Sequence, residues 1–467
     1  MTPADRNRST VTVLRSTVSR RRLVGAFVAV LVVLAGCSNV PLVGHPEEPD
    51  EDRIGWEDGY WYDDDLSMTP GDGYNESERE VLVARTMARV ERIRGLEFER
   101  TVPVAVISRE EYVGNRSGGG SSGTHEAWND QVWEGLFIVG ESTGTDETFN
   151  STLGASVQGY YSPGDEQIVL VSDSPTPTVD RATLAHELVH ALQDQQFDLG
   201  PGGDTQDQQL ATDGVVEGEA NYIEAIYQRR CEQGWSCVST PASEGGGGGT
   251  PSDYNRGLFL TIYQPYATGP TFVDTVRERS GWGGVDRLHE DMPESSEQVI
   301  HPEAYPDEQP ANVTVPDRSS AEWERFDHDP VADTVGEASV YAMFVSNGVA
   351  DPEGDQYSYR SQPSAGWGGD AFVPYTDGDG DAEDAYVWVT AWDTERDAEQ
   401  FHRTYVDLLE GHDARNPRGN VYVVPDGEFA DAFRVVRNGD RVRIVNAPTV
   451  EDLDAVHDPR EGASYRR

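Results

Sequence analysis

The pentapeptide His186-Glu187-Leu188-Val189-His190 limits what this chain can fold into more than any other feature of its sequence. It lies in a segment, residues 179–195, that follows two prolines and has the spacing of a helix. Histidines four residues apart project from successive turns to one side of a helix, so both imidazoles can bind one metal ion. Glu187 lies about 100° around the helix, where it can reach a water molecule without binding the metal. The pattern predicts two ligands, a general base and a third ligand from elsewhere.

The next predicted helix, residues 210–229, contains candidates for that third ligand. Its centre reads Val216-Glu217-Gly218-Glu219-Ala220-Asn221. Glu217 and Glu219 are two residues apart, hence about 200° apart around a helix, so only one of them can face the metal. Gly218 and Ala220 are small and would let two helices approach closely.

A β-hairpin is predicted directly before the first helix. Residues 156–161 and 166–171 are rich in strand-forming side chains and flank the turn Ser162-Pro163-Gly164-Asp165. A strand at the edge of a sheet can hold an extended peptide by adding it as a further strand. The hairpin therefore fits a site that acts on peptides.

Together the two helices resemble the gluzincin metallopeptidases, whose second helix carries the pattern E-x-x-A-D with its first glutamate as third zinc ligand. Glu217 and Ala220 match that pattern. The resemblance implies a zinc ion held by His186, His190 and Glu217. It also implies hydrolysis of a peptide or protein substrate through a metal-activated water, with Glu187 as the general base.

This chain departs from the gluzincin pattern at its last position, where Asn221 replaces the aspartate that supports a zinc-bound histidine. An amide can accept a hydrogen bond from an imidazole N–H, but it carries no charge. The residue that stabilises the oxyanion stays open among four candidates: Tyr160, Tyr161, Tyr222 and His301.

A second resemblance covers about half of the expected mature chain. Residues 186–199, 216–221 and 297–302 are similar to uncharacterised prokaryotic surface lipoproteins of the haloarchaeal type, which have no established substrate. The alternative to a peptidase is therefore a non-catalytic surface protein that keeps the zincin fold for adhesion or for binding the cell envelope.

The charge balance excludes some partners. The chain has 84 acidic residues and 36 basic ones, all of them arginine, for a net charge of −48. Nucleic acid would be repelled rather than neutralised. Because the acidic residues run through the whole chain, the composition indicates a halophilic protein that stays soluble in very high salt.

The first 36 residues are expected to be a signal peptide. Arg20, Arg21 and Arg22 precede an apolar run, residues 23–36, that is too short for a comfortable transmembrane helix. The run ends before Cys37 in a lipobox-like sequence, and the arginines resemble a twin-arginine signal. Cys37 would then carry a lipid that anchors the protein to the outer face of the membrane; the alternative is an uncleaved anchor helix.

The two remaining cysteines are Cys231 and Cys237, six residues apart. A disulfide suits an extracellular location. Zinc binding by this pair is the alternative, but the chain lacks a second cysteine pair to complete four ligands.

These observations predict an α+β protein. An acidic, disordered spacer is expected at residues 37–75, and a zincin-like domain with a mixed sheet, an edge hairpin and active-site helices at residues 76–325. A smaller α+β unit is expected at residues 326–467, with a strand at 386–391 and a hairpin turning at Asn438-Gly439-Asp440.

Overall fold

The structure, a computed structural model, describes most of the chain beyond residue 51. The described residues are 52–68, 71, 73–117, 123–153, 157–174, 176–200, 202–239, 254–320, 322–377 and 384–457. The expected signal peptide and Cys37 lie outside them.

Helices of very different lengths make up most of the regular structure. They are α1 (Glu76–Arg94), α2 (Arg109–Ser117), α3 (Gly123–Gly135), α4 (Thr145–Leu153), α5 (Arg181–Phe197), α6 (Gln206–Gln233), α7 (Arg256–Ser280), α8 (Trp282–Glu290), α9 (Ser296–Ile300), α10 (Gly336–Ser346), α11 (Glu395–Gly411) and α12 (Asp452–Val456). Within the described residues, none of these helices is both long enough and apolar enough to span a membrane.

The strands form a short hairpin and two larger sheets. In chain order they are β1 (Trp56–Glu57), β2 (Tyr60–Trp61), β3 (Val104–Ile107), β4 (Gly159–Ser162), β5 (Gln167–Val171), β6 (Glu324–Arg325), β7 (Trp367–Thr376), β8 (Ala385–Trp392), β9 (Arg415–Arg418), β10 (Val421–Val423), β11 (Ala432–Asn438) and β12 (Arg441–Ala447). The chain is thus a mixed α+β protein, as predicted.

The sheet nearest the candidate site has the order β3-β5-β4. β3 runs parallel to β5, and β4 runs antiparallel to it. β4 and β5 form the hairpin that the sequence predicts, with β4 at the edge of a mixed sheet. This sheet shares a hydrophobic core with α1, α5 and α6.

α5, the helix that carries the H-E-x-x-H pattern, is fixed at its start and along one face. The carboxylate of Asp180 caps its first turn by accepting hydrogen bonds from the N–H groups of Ala182 and Thr183. The face opposite the histidines is buried, as expected from the sequence, at Leu184, Leu188, Ala191 and Leu192. Burial of this apolar face holds the histidines toward a cleft.

α6 and α7 approach each other at glycines. A methyl group on Gly218 would lie 2.6 Å from the backbone carbon of Gly269, and one on Gly269 would lie 2.5 Å from the carbonyl oxygen of Gly214. The close approach that the sequence suggested at Gly218 is therefore made with α7. It brings α7 beside the segment of α6 that carries Glu217.

The sequence predicts that α7 breaks at Pro265 and Pro270, and this prediction is wrong. The helix continues from Arg256 to Ser280 through both prolines. Each proline removes one backbone hydrogen bond. Packing outweighs that loss, because buried residues such as Leu260 and Phe272 hold the helix on either side of the prolines.

The second large sheet has the order β6-β7-β8-β12-β11-β10-β9. The hairpin between β11 and β12 turns at the predicted Asn438-Gly439-Asp440. One face of the sheet packs against α3, α10 and α11, so the boundary expected at residue 325 does not separate two cores. The described residues form one compact unit, because aromatic side chains such as Trp133 and Trp388 on either side of that boundary belong to one cluster.

Part of the expected disordered spacer is folded, which corrects the sequence-based boundary at residue 75. The Gly55 N–H donates to Glu91 Oε2 at 2.7 Å. Arg89 Nε donates to the carbonyl of Tyr62, also at 2.7 Å. The acidic composition of this segment predicts disorder, but the segment also contains several aromatic residues. Its aromatic side chains pack on α1 and on the loop after α6.

Candidate metal centre

Three side chains from α5 and α6 converge at one end of a cleft of about 600 Å³. His186 Nε2 lies 3.1 Å from Glu217 Oε2, and His190 Nε2 lies 3.4 Å from the same oxygen. The two Nε2 atoms are 3.1 Å apart. Two atoms bound to one tetrahedral zinc ion at 2.0–2.1 Å are about 3.3 Å apart. The three donor atoms therefore have the spacing and the chemistry of a zinc site.

His190 is held by Gln193, a residue that the sequence analysis did not single out. The Gln193 amide nitrogen donates to the carbonyl of Val216 at 3.0 Å and to Glu219 Oε2 at 2.9 Å. These two acceptors fix the orientation of the amide, so its oxygen faces His190 Nδ1 at 3.0 Å. Nδ1 must then carry the proton, which leaves the lone pair on Nε2 free for a metal.

His186 is held by a different residue from the one expected. Its Nδ1 lies 3.3 Å from Glu224 Oε2. The amide of Asn221 instead donates to the backbone carbonyl of Glu217 at 2.9 Å. Glu224 thus occupies the place that the gluzincin pattern gave to residue 221, and it supplies the negative charge that Asn221 lacks.

Glu219 faces away from the histidines, as its helical spacing from Glu217 predicts. It is buried, forms an ion pair with Arg94 and is hydrogen-bonded to His289. Burial alone would raise the pKa of Glu219, but Arg94 and His289 outweigh it and lower this pKa to about 2. Glu219 is therefore a charged anchor for Gln193 rather than a metal ligand.

The protein environment keeps Glu217 charged. Burial would raise the pKa of Glu217, but His190 and His186 lower it well below its ordinary value. Burial has the opposite effect on a histidine and lowers the pKa of His186. Hydrogen bonds with Glu217 and Glu224 raise this pKa by more, so that it is about 10. The pocket thus favours a positive charge between these side chains, which a bound cation would supply.

Glu187 lies between the three converging side chains and the edge strand β4. Its Oε2 accepts a hydrogen bond from the Tyr161 N–H at 2.8 Å. Burial raises the pKa of Glu187, and His190 and His186 partly oppose this effect. A carboxylate with a raised pKa, held beside a metal-binding triad, is suited to accept and return a proton.

Tyr266 on α7 is a cleft residue that the sequence analysis missed. It lines the cleft with Tyr160 and Tyr161, and its hydroxyl interacts with Glu217. Of the four oxyanion candidates from the sequence, Tyr160 also lines the cleft. The other three have partners elsewhere: Tyr161 donates to Asp194, Tyr222 accepts from Arg277, and His301 pairs with Glu337. Tyr266 could not be placed from the sequence, because α7 was expected to break one residue before it.

Cys231 and Cys237 form a disulfide with a Cα–Cα distance of 5.5 Å. The bridge joins the last turns of α6 to the loop that follows. Arg89 of α1 packs over Trp235 within that loop. The cysteine pair therefore stabilises the far end of the helix that carries Glu217 and takes no part in the metal centre.

Comparison with known proteins adds one match. Residues 324–457 match the family described as a domain of unknown function, DUF8575. This region begins at β6 and ends after α12, so it covers the second large sheet and none of the three converging side chains. No curated protein and no solved structure matches the chain.

Proposed function

We propose that this protein is a zinc-dependent peptidase with a zincin-like arrangement of β3–β5, α5 and α6. The observation that carries the proposal is the triangle of His186 Nε2, His190 Nε2 and Glu217 Oε2, whose edges of 3.1–3.4 Å fit one tetrahedral zinc ion. When bound, zinc would supply a Lewis acid that polarises a carbonyl group and lowers the pKa of water.

In this proposal the protein's own side chains handle the protons. Glu187 accepts a proton from the attacking water and delivers it to the leaving amine. The hydrogen bond from the Tyr161 N–H holds the Glu187 carboxylate in place for both steps. Tyr266, across the cleft on α7, donates a hydrogen bond to the oxygen on which negative charge develops. Burial raises the pKa of Tyr266, and so does Glu217, so its hydroxyl keeps the proton that it donates.

The substrate class proposed is an extended peptide segment. Within the described residues, β4 pairs with β5 and has no strand on its other side, and its residues Gly159, Tyr160 and Tyr161 line the cleft. A peptide that lies along this strand would bring a scissile carbonyl to the metal-binding side chains. Attachment to the outer face of the cell membrane through Cys37 is part of the same proposal.

The test is hydrolysis of an unfolded protein in molar salt by the zinc-loaded full chain and by its Glu187→Gln variant. We expect the variant to keep one zinc per chain, measured by elemental analysis, and to lose activity by at least about a hundredfold, since it lacks the general base. His186→Ala is the matched control and should lose both zinc and activity.

Two results would contradict the peptidase. One is equal activity of the wild type and Glu187→Gln. The other is a wild type that holds zinc and cleaves no unfolded protein or peptide. The second result would favour the non-catalytic surface protein, which needs the fold and the metal but no general base.

A further inference from the structure

A second group of acidic side chains lies far from the zinc triad in the sequence and belongs to three different segments. Glu297 is on α9, Glu308 is in the loop that follows, and Asp393 is in the turn between β8 and α11. One carboxylate oxygen from each residue lies within 4.8 Å of the other two. Oxygen atoms that bind one calcium ion at 2.3–2.6 Å can be up to about 5 Å apart, so all three can reach one ion.

Glu297 distinguishes this group from the many exposed acidic residues of the chain. It is only 7% exposed. Within the described residues, no hydrogen bond or ion pair reaches its carboxylate, and Glu308 and Asp393 also have no ion pair with an arginine or histidine. A buried, unpaired carboxylate is unfavourable unless a proton or a cation neutralises it. Burial, the charge of Glu337 and that of Glu308 raise the pKa of Glu297 to about 10, so a proton and a cation compete for it.

Hydrogen bonds fix the backbone that carries the two partner carboxylates. Gln298, fully buried, donates from its side-chain amide to the carbonyl of Glu308 at 2.6 Å. The Asp393 N–H donates to the carbonyl of Gly366 at 2.9 Å. Glu308 and Asp393 are exposed, which leaves room for the water molecules that complete the coordination of a hard cation.

We propose that Glu297, Glu308 and Asp393 bind a calcium ion. All the donors are oxygen atoms, which favours calcium over zinc or copper. Three carboxylates and a wide, hydrated side suit calcium better than magnesium, which demands a small octahedral shell. This site is independent of the zinc centre and of peptidase activity.

The calcium ion would join two parts of the fold. Glu297 lies on α9, where the neighbouring Val299 packs against Gly214 of α6. Asp393 lies in the region that matches DUF8575. Calcium would therefore tie the helix that carries Glu217 to the second large sheet, in a chain whose net charge of −48 otherwise favours their separation.

Terbium(III) is a suitable probe, because it takes the place of calcium and emits light when a nearby tryptophan is excited. Trp392 directly precedes Asp393 and is buried. For the zinc-loaded full chain in molar KCl, we expect sensitised emission that saturates with a single terbium ion and is displaced by calcium. Glu297→Gln should raise the Kd for terbium at least tenfold. Asp307→Asn, an exposed neighbour, and Glu187→Gln, which keeps the zinc, should leave the Kd unchanged.

Thermal unfolding gives a second readout that a purely structural role of Glu297 would not produce. At constant ionic strength, calcium should raise the Tm of the wild type and of Asp307→Asn but not that of Glu297→Gln. Without calcium, Glu297→Gln should be at least as stable as the wild type, because the neutral amide takes the place of a buried carboxyl group that must hold a proton. The proposal is overturned if Glu297→Gln binds terbium as tightly as the wild type. It is also overturned if that variant lowers the Tm equally with and without calcium.

Discussion

Each histidine of the candidate zinc site is oriented by a side chain that has no place in the H-E-x-x-H pattern. Gln193 accepts from His190 Nδ1, and Glu224 accepts from His186 Nδ1. The Gln193 amide is itself fixed by the buried Glu219, which pairs with Arg94 of α1. The tautomer of His190, a candidate metal ligand, thus depends on a series of contacts that begins at α1.

This arrangement predicts that Glu224 matters more for zinc than Asn221 does. Glu224→Gln should lower the affinity for zinc about tenfold or more, because the partner of His186 Nδ1 loses its charge. Asn221→Ala should change the affinity by less than about threefold, since the Asn221 amide contacts only a backbone carbonyl. Competition with a chromophoric chelator would measure both values. A larger effect of Asn221→Ala than of Glu224→Gln would contradict the assignment.

At the scale of the helices and strands, the periodic parts of the sequence predict the structure well. The expected helices at 179–195 and 210–229 correspond to Arg181–Phe197 and Gln206–Gln233, and the expected hairpin corresponds to β4 and β5. Helical spacing also predicts that Glu217 and Glu219 face opposite sides. These features depend on local periodicity, which is visible in the spacing of apolar and polar residues along the sequence.

The features that the sequence does not predict depend on tertiary packing. Helix propensity alone predicts a break in α7 at its two prolines, so the sequence does not place Tyr266 beside the candidate metal centre. Gln193 and Glu224 belong to no motif, and their roles appear only when α5 and α6 are seen in contact. The aromatic segment before α1 is folded, although its acidic composition predicts disorder.

The contact between α6 and α7 leads to a prediction at this scale. Gly218→Ala should lower the free energy of unfolding by about 1–3 kcal/mol, because the new methyl group meets backbone atoms of Gly269 that cannot rotate away. It should also weaken zinc binding, because Glu217 is the preceding residue. Gly283→Ala in α8 is the control, since a methyl group there meets nothing within 4 Å. Unfolding by denaturant at fixed salt measures both variants, and equal stabilities would contradict the close contact.

At the scale of the whole molecule, buried carboxylates connect α6 to the second large sheet. Asp207 accepts hydrogen bonds from the backbone and side chain of Ser296. Asp333 accepts from the Gln206 N–H, and Asp370 accepts from the N–H groups at the start of α10. Burial raises the pKa of Asp207 to about 8, although the hydrogen bonds from Ser296 oppose the shift.

This raised pKa gives a prediction for the pH dependence of stability. Between about pH 4 and pH 8 the unfolded chain has released the Asp207 proton while the folded chain still holds it. Asp207 therefore contributes stability at low pH that is lost as the pH rises toward 8. Asp207→Asn should remove this pH dependence, which amounts to at most about 1.4 kcal/mol per pH unit, while its amide oxygen can still accept from Ser296.

The measurement is the free energy of unfolding of the wild type, Asp207→Asn and the exposed control Asp307→Asn across this pH range, in molar salt that screens the net charge. The difference between the wild type and Asp207→Asn should grow as the pH rises, and Asp307→Asn should follow the wild type. A difference that stays constant with pH would show that Asp207 ionises equally in both states.

Glu224 lies seven residues after Glu217, whereas the acidic residue of the E-x-x-A-D pattern lies four residues after its glutamate. At about 100° per residue, both spacings return to within about 40° of the same helix face. A carboxylate on either turn can therefore contact the same histidine on the facing helix. A search pattern that fixes an aspartate at the fourth position would reject this chain, and one that accepts an acidic residue at either spacing would retain it.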